Sequence, residues 1–465
     1  MAKDMTAFIS ENEQNIIRDI KRLIDIKSVK DIPAQGAPYG AGVRAVQLEA
    51  MKLCCELGLE VTDCDGKIAY AHYGNKDKFI GVIAHMDVVP EGGGWNSDPY
   101  CCTERDGYLV GRGVLDDKGP FVVAAYAIRY LIENKIKLNY GIRLIMGLDE
   151  ETGMSDIEYY KENCALPIFT FTPDADFPVG HGEKGIYSSD LVSKAISGGN
   201  ILELCGGVAS NVVADYACAV IKQSEKDKLT DAAKGRNDVK VSVCDAGVKV
   251  EAFGRAAHAG QPHTGINANN ILMAFLSESG SLTSDEKSAA EFIALASGSF
   301  DGEQFGIEAE DGLFAPNSII GGMLSMQDRS LVLNLNSRYN TKLKPEEIEK
   351  KIEQTAAKNG FSVANVENSG PFYMSPEHPA VKTMCDIYNE VTDSHEKPFV
   401  MSGGTYARHM DNAVSYGIEF PNQGKEDPEW VGGVHMKNEA LKIERAKQAC
   451  EIFINTFIKL QNIEF

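Results

Sequence analysis

Positive charge is in short supply in this chain relative to negative charge. Lysine and arginine number 46 against 67 aspartates and glutamates, a formal net charge of -21. That balance argues against nucleic acid and anionic membrane surfaces as partners. No apolar stretch is long enough to span a bilayer. Residues Met1 to Asn12 lack the charged-then-apolar pattern of a signal peptide. Internal repeats and low-complexity tracts are missing too. The 11 cysteines include adjacent pairs at Cys54-Cys55 and Cys101-Cys102 but no CxxC spacing. An odd, scattered set suits reduced thiols better than a disulfide framework. The expectation is a cytoplasmic protein.

What is present describes a globular chain, 43% hydrophobic and 24% charged. Its 465 residues exceed one ordinary core, so two domains are expected. Helical spacing of Ile16, Ile17, Ile20, Leu23 and Ile24 predicts an amphipathic helix over Gln14 to Ile26, and Val43 to Leu57 predicts a second. Val61 to Tyr73 reads as a short hairpin. The run Phe79 to Ala84 reads as a buried strand leading into His85-Met86-Asp87. In open α/β sheets, ligands gather beyond the carboxyl ends of strands. A histidine there is a good metal ligand, and an aspartate two residues on can fix its tautomer.

The same pattern recurs. Asp116-Asp117 immediately precedes an apolar helix, Phe121 to Ile132, where one aspartate could serve only as an N-cap. The strand Tyr140 to Leu148 runs into Asp149-Glu150-Glu151, and Pro167 to Thr172 into Pro173-Asp174-Ala175-Asp176. Crowding that many acids is costly without a counter-ion. A divalent cation is the natural one, and two cations fit the number of acids better. From about residue 187 the texture becomes α+β material able to form its own sheet. Helices and Gly-rich turns return after Pro376, closing with a helix over Glu439 to Leu460. The expectation is an α/β catalytic domain from 1–186 and 379–465, with an insertion at 187–378.

Together, His85-Met86-Asp87-Val88-Val89-Pro90, Gly111 through Gly119, Asp149-Glu150-Glu151, Pro173-Asp174-Ala175-Asp176-Phe177-Pro178, Gly182-Glu183-Lys184-Gly185 and Gly433-Val434-His435 resemble the M20 family of dinuclear zinc peptidases, in its dipeptidase V-like branch. The resemblance implies a zinc-peptidase-like catalytic domain, a mixed sheet flanked by helices, with an inserted α+β lid. It implies two Zn²⁺ per chain, for which Mn²⁺ or Co²⁺ could substitute. His85 and Asp174 would hold one ion, Glu151 and His435 the other, and Asp116 would bridge both. Glu150 would be the general base, and Asp87 would orient His85. Residue chemistry alone leaves the choices within Asp116/Asp117 and Glu150/Glu151 open. Histidines and carboxylates suit Zn²⁺, and a two-metal site can activate water and polarise a scissile carbonyl.

The inserted segment carries further parallels. Gly254-Arg255-Ala256-Ala257-His258-Ala259-Gly260 resembles the lid-histidine motif, making His258 an oxyanion stabiliser. Asn211 and Arg338 resemble substrate-holding positions, an Arg fork suiting a terminal carboxylate. The alternative for Arg338 is a surface salt bridge. Gly403 and Gly404, in Gly403-Gly404-Thr405-Tyr406, resemble a loop near the substrate carboxylate. Asn211 departs from the pattern in being followed by Val212-Val213-Ala214-Asp215, where Met-Val-Pro-Asp is commoner, and 295–315 match poorly. His181 reads as a solvent-facing loop histidine rather than a rival ligand. The implied function is metal-dependent hydrolysis of dipeptides or short peptides. The alternatives are an N-acyl amino acid deacylase on the same metal core and a non-catalytic binding homologue. The implied partner is a small peptide substrate, and the long insertion favours a monomer over a lid-mediated homodimer.

Overall fold

The computed structural model describes residues 4–421 and 427–465. The first three residues of the stretch read above for a leader lie outside it. The chain divides into two compact units. One comprises Met1–Gly182, Tyr373–Phe399 and Gly404–Phe465, the other Glu183–Phe372 and Val400–Gly403.

The first unit is built on a mixed sheet. Its order runs Glu60–Cys64, Ile68–Tyr73, Gly141–Gly147, Phe79–His85, Thr170–Thr172, Ala413–Ser415, Gly180–Glu183. The central strand Phe79–His85 lies parallel to Gly141–Gly147 and to Thr170–Thr172, with His85 level with Gly147. Both long parallel strands are buried along their whole length. Central parallel strands are covered on both faces, which is why they appear in the sequence as unbroken apolar runs rather than alternations. The predicted hairpin is Glu60–Cys64 paired antiparallel with Ile68–Tyr73.

The helices Met5–Ile24, Lys118–Glu133, Pro379–Thr392 and Ile443–Lys459 pack against one another beside this sheet. The first begins earlier than its apolar spacing predicts, adding Phe8 and Ile9 to the buried stripe of Ile16, Ile17, Ile20, Leu23 and Ile24. Each such side chain removed from water contributes on the order of 1.5–3 kcal/mol before ordering costs. The predicted helix over Glu439 to Leu460 needs correction. Ala440–Lys442 is a strand, antiparallel to Tyr108–Val110, and the helix is Ile443–Lys459.

The second unit is an eight-stranded antiparallel sheet. Its order is Val239–Cys244, Gly247–Phe253, Tyr216–Ile221, Ile201–Gly206, Ser318–Gln327, Ser330–Tyr339, Gly185–Ser193, Phe361–Ser369. The helices Ala268–Glu278, Ser284–Gly298 and Pro345–Lys358 bury their apolar stripes against strand residues such as Leu191, Val250 and Leu333. Residues 295–315 finish a helix and then turn irregularly through left-handed Gly302 and Gly306.

Candidate metal centre

Five segments of the first unit, bearing His85, Asp116, Glu151, Asp174 and His435, converge at the carboxyl ends of its parallel strands. His85 ends the central strand and is wholly buried. Its Nδ1 lies 2.9 Å from the backbone carbonyl of Asp87. A carbonyl only accepts, so Nδ1 carries the proton and Nε2 presents its lone pair when the ring is neutral. That Nε2 faces Asp116 Oδ1 at 2.7 Å and Asp174 Oδ2 at 3.8 Å. The other oxygen of the same carboxylate, Asp116 Oδ2, lies 2.9 Å from His435 Nε2, which is also 3.1 Å from Glu151. Two donor sets result, His85–Asp116–Asp174 and Asp116–Glu151–His435. In each, the ligand atoms lie within 4.8 Å of one another. Asp116 belongs to both and offers one oxygen to each.

The neighbouring acids take other partners. Asp117 stands at the N-terminus of Lys118–Glu133 but caps nothing, and its Oδ2 instead accepts from the backbone N–H of His85 at 3.2 Å. Asp87 orients His85 through its carbonyl. Its carboxylate oxygens accept from the backbone N–H groups of Glu150 (3.3 Å) and Glu151 (3.1 Å), holding the turn that bears both glutamates. Asp149 closes that turn further on, accepting from Thr152 Oγ1 and Ser155 Oγ at 2.6 Å each.

The electrostatics are those of a site short of positive charge. Burial raises the carboxyls of Glu150 and Asp174 well above their ordinary values, and nearby Asp116 raises both further. Glu151 is raised by burial and by Asp116. Burial disfavours the charged form of His85, yet Asp116, Asp87 and Asp174 outweigh it and hold that imidazole well above its usual range. His435 is opposed by burial in the same way, and Asp116 and Glu151 push it up to about 10. The acids thus draw protons onto two imidazoles whose nitrogens suit a cation. The donor chemistry, nitrogen and carboxylate oxygen with one carboxylate shared, fits two divalent ions.

Two residues escaped the sequence reading. Glu439 is fully buried and holds the turn before Asp116 in place. Its Oε1 accepts from the N–H groups of Gly113 (3.1 Å), Leu115 (2.9 Å) and Asp116 (3.3 Å), while Oε2 pairs with Arg112 at 2.6 Å. Lys118 is buried as well, donating from Nζ to the carbonyls of Leu23 (3.1 Å) and Ile26 (2.9 Å) just where Met5–Ile24 ends. Burial pushes this amine down to about 7, and its N–H groups satisfy terminal carbonyls of the helix.

The remaining predicted positions lie in the second unit or at its border. His258 lies beside Gly260, whose N–H donates to Nδ1 at 3.1 Å. Asn211 and His258 are knit together, because Ala259 N–H donates to Asn211 carbonyl at 2.9 Å and Val212 bridges His258. Arg338 is buried on Ser330–Tyr339, not on the surface, and its Nη1 reaches the Ser402 carbonyl at 3.4 Å. Gly403 ends the second unit and Gly404 resumes the first. His181 is not the solvent-facing loop residue expected. It is buried on the strand Gly180–Glu183, with Nδ1 2.7 Å from the Met374 carbonyl. A carbonyl partner and an apolar setting explain its place in the core.

Residues 81–459 match the model of peptidase family M20/M25/M40. The chain belongs to that family. Among its relatives, "Putative dipeptidase YtjP" of Bacillus subtilis is 28% identical, over 97% of this chain and 98% of its own length. "Putative dipeptidase SSP1012" of Staphylococcus saprophyticus is 30% identical over the same shares. The fold is similar to that of the di-peptidase Dug1p from Saccharomyces cerevisiae. The two structures superpose with a TM-score of 0.61 at 11% identity, covering 99% of this chain and 98% of that one.

Proposed function

We propose that this M20 member is a dipeptidase that hydrolyses dipeptides or short peptides at a dinuclear metal centre. The observation that carries this reading is the single carboxylate, Asp116, turned between two donor sets. In this reading His85 and Asp174 hold one Zn²⁺, and Glu151 and His435 hold the other. Asp116 is common to both, and Mn²⁺ or Co²⁺ is able to substitute. When bound, the ions supply Lewis acidity to the scissile carbonyl and acidify water.

The chain's own groups do the rest. Glu150 takes the proton from the attacking water and returns it to the leaving amine, a transfer typically worth 10²–10⁴-fold, about 3–5 kcal/mol. Asp87 keeps Glu150 in reach by holding its backbone N–H. His258 donates to the developing oxyanion. Arg338, Asn211 and the backbone at Gly403 and Gly404 hold the peptide and its terminal carboxylate. The residues 1–186 and 379–465 act as catalytic domain and 187–378 as lid, in a protein that works in the cytoplasm as a monomer. The dipeptidase names of two relatives alike along nearly their whole length support the substrate class.

The test is a small panel, free dipeptides beside N-acetyl amino acids, assayed after chelation with and without Zn²⁺ or Mn²⁺. Metal-restored cleavage of dipeptides is expected. Cleavage of the acylated compounds alone would move the function to deacylation. Turnover of neither would refute an enzyme of this class.

A further inference from the structure

In the second unit, Cys205 and Cys218 stand directly opposite each other on the neighbouring antiparallel strands Ile201–Gly206 and Tyr216–Ile221. Their Sγ atoms are 3.0 Å apart. Opposed residues of an antiparallel ladder have Cα atoms about 4.5–5.5 Å apart. That lies inside the roughly 4.4–6.8 Å that a disulfide bridges. The flanking Leu204, Ala217 and Ala219 point into the core, so alternation puts both thiols on the opposite face of the sheet. Cys205 is exposed and Cys218 half-buried. Beside them Tyr216 and Lys249 both donate to Glu251 at 2.8 Å, and Glu251 is the partner of Cys218 on the next strand.

The pair closes the base of the segment 206–217, which carries Asn211. That segment is tied to the strip bearing His258, since Val213 N–H donates to Ala257 carbonyl at 2.8 Å and Ala259 N–H to Asn211 carbonyl at 2.9 Å. A staple at Cys205–Cys218 therefore acts on residues singled out for substrate. The first unit has a looser pair, Cys64 and Cys164, with Sγ atoms 3.7 Å apart and no strand register between them. It serves as an internal comparison.

We propose that Cys205 and Cys218 are a redox modification site, oxidised by a low-molecular-weight disulfide to a cross-strand disulfide that fastens segment 206–217. The exposed Cys205 thiolate attacks one sulfur of the small disulfide, whose S–S bond breaks and releases one thiolate that takes up a proton. Cys218 then gives its proton to solvent and attacks the Cys205 sulfur of the mixed disulfide, releasing the second small thiol. The two protein thiols lose two electrons and two protons, and the small disulfide is reduced to two thiols. In the dithiol, burial and the Cys205 thiol push the Cys218 thiol up to about 11, which leaves the first attack on the small disulfide to the exposed Cys205.

The inference bears on the substrate residues proposed above, but its test uses no turnover. The full chain is equilibrated in reduced-to-oxidised glutathione buffers, quenched by alkylation, and mapped by peptide mass. Amide hydrogen exchange of 206–217 is measured on the same samples. The expected result is a Cys205–Cys218 linkage, two hydrogens lighter than the dithiol and lost on reduction. Exchange in 206–217 should slow by about threefold on oxidation. Cys205→Ser, at an exposed position, should lose both effects, whatever Cys64 and Cys164 do. A glutathione adduct stable on Cys205, both thiols alkylated throughout, or a linkage that leaves exchange unchanged would each overturn the proposal. Were the Ser variant not to fold, the mapping and exchange of the natural chain would still decide it.

Discussion

Removing the carboxylate of Glu439 tests how the turn before Asp116 is held. Glu439→Ala leaves Arg112 buried without its carboxylate, a loss of about 3–5 kcal/mol for a broken buried pair. It also frees the N–H groups of Gly113, Leu115 and Asp116, each worth about 1–3 kcal/mol if left dry. Water entering the vacated space satisfies part of that, so the sum is taken as about 4–6 kcal/mol. Only two tryptophans, Trp95 and Trp430, occur in the chain, and both belong to the first unit. Arg112 itself lies over Trp95, 5.2 Å from its ring centre. Tryptophan fluorescence in urea therefore follows the unit that holds the pair. Arg112→Met alone should cost about 3–5 kcal/mol, and the double variant should cost at least about 2 kcal/mol less than the two singles together. Metal affinity of Glu439→Ala should fall about 10–100-fold, as for other groups that orient ligands. Additive single costs, or full metal affinity in Glu439→Ala, would refute the assignment of Glu439 to this turn.

Glu150→Gln should keep its metal and lose about 10²–10⁴-fold in kcat, and substantial remaining turnover would take Glu150 out of the base role. His258→Ala should lower kcat by about 10²–10³-fold at unchanged metal content, so parallel loss of metal would defeat the oxyanion role. Asp156 supplies a pH test away from the ligands. Burial outweighs the hydrogen bonds from Tyr406 and Leu148 N–H and raises its carboxyl from 3.8 to about 6. Between those values the folded chain binds the extra proton, so stability falls as pH rises from about 4 through 6, by up to about 3 kcal/mol. Asp156→Asn should lack that slope, so the difference in urea stability between natural chain and variant should change between pH 4.5 and 6.5, and a difference that stays constant would contradict it.

The elements that could be read from sequence are those whose signal is local. Phe79–His85 and Gly141–Gly147 are buried along their whole length, so their apolar runs were visible without knowledge of their neighbours. The acids beyond them were visible because parallel strands deliver their carboxyl ends to one side of the sheet. Choosing between Asp116 and Asp117 was not local. Adjacent side chains point apart, and only the distant His435 marks which one faces the second donor set. Glu439 was hidden for a related reason. The three-residue strand Ala440–Lys442 runs straight into Ile443–Lys459, and its apolar residues continue the helical spacing. Its partner strand, Tyr108–Val110, lies hundreds of residues earlier. His181 was misread because Gly180–Glu183 is too short and glycine-rich to display a period. Asp87 stands beside His85 as its spacing predicts, but that spacing could not reveal that its carbonyl, at 2.9 Å from Nδ1, comes closer than its carboxylate, at 3.5 Å.

Metal titration of the chelated chain tests the central claim most directly. Ions bound per chain are counted while dipeptide cleavage is followed, for the natural protein and for His435→Ala. The account predicts two ions per chain, activity that returns as they bind, and one tightly held ion in His435→Ala with activity lost. A single ion in the natural chain, or full dipeptide cleavage by the metal-free protein, would contradict it.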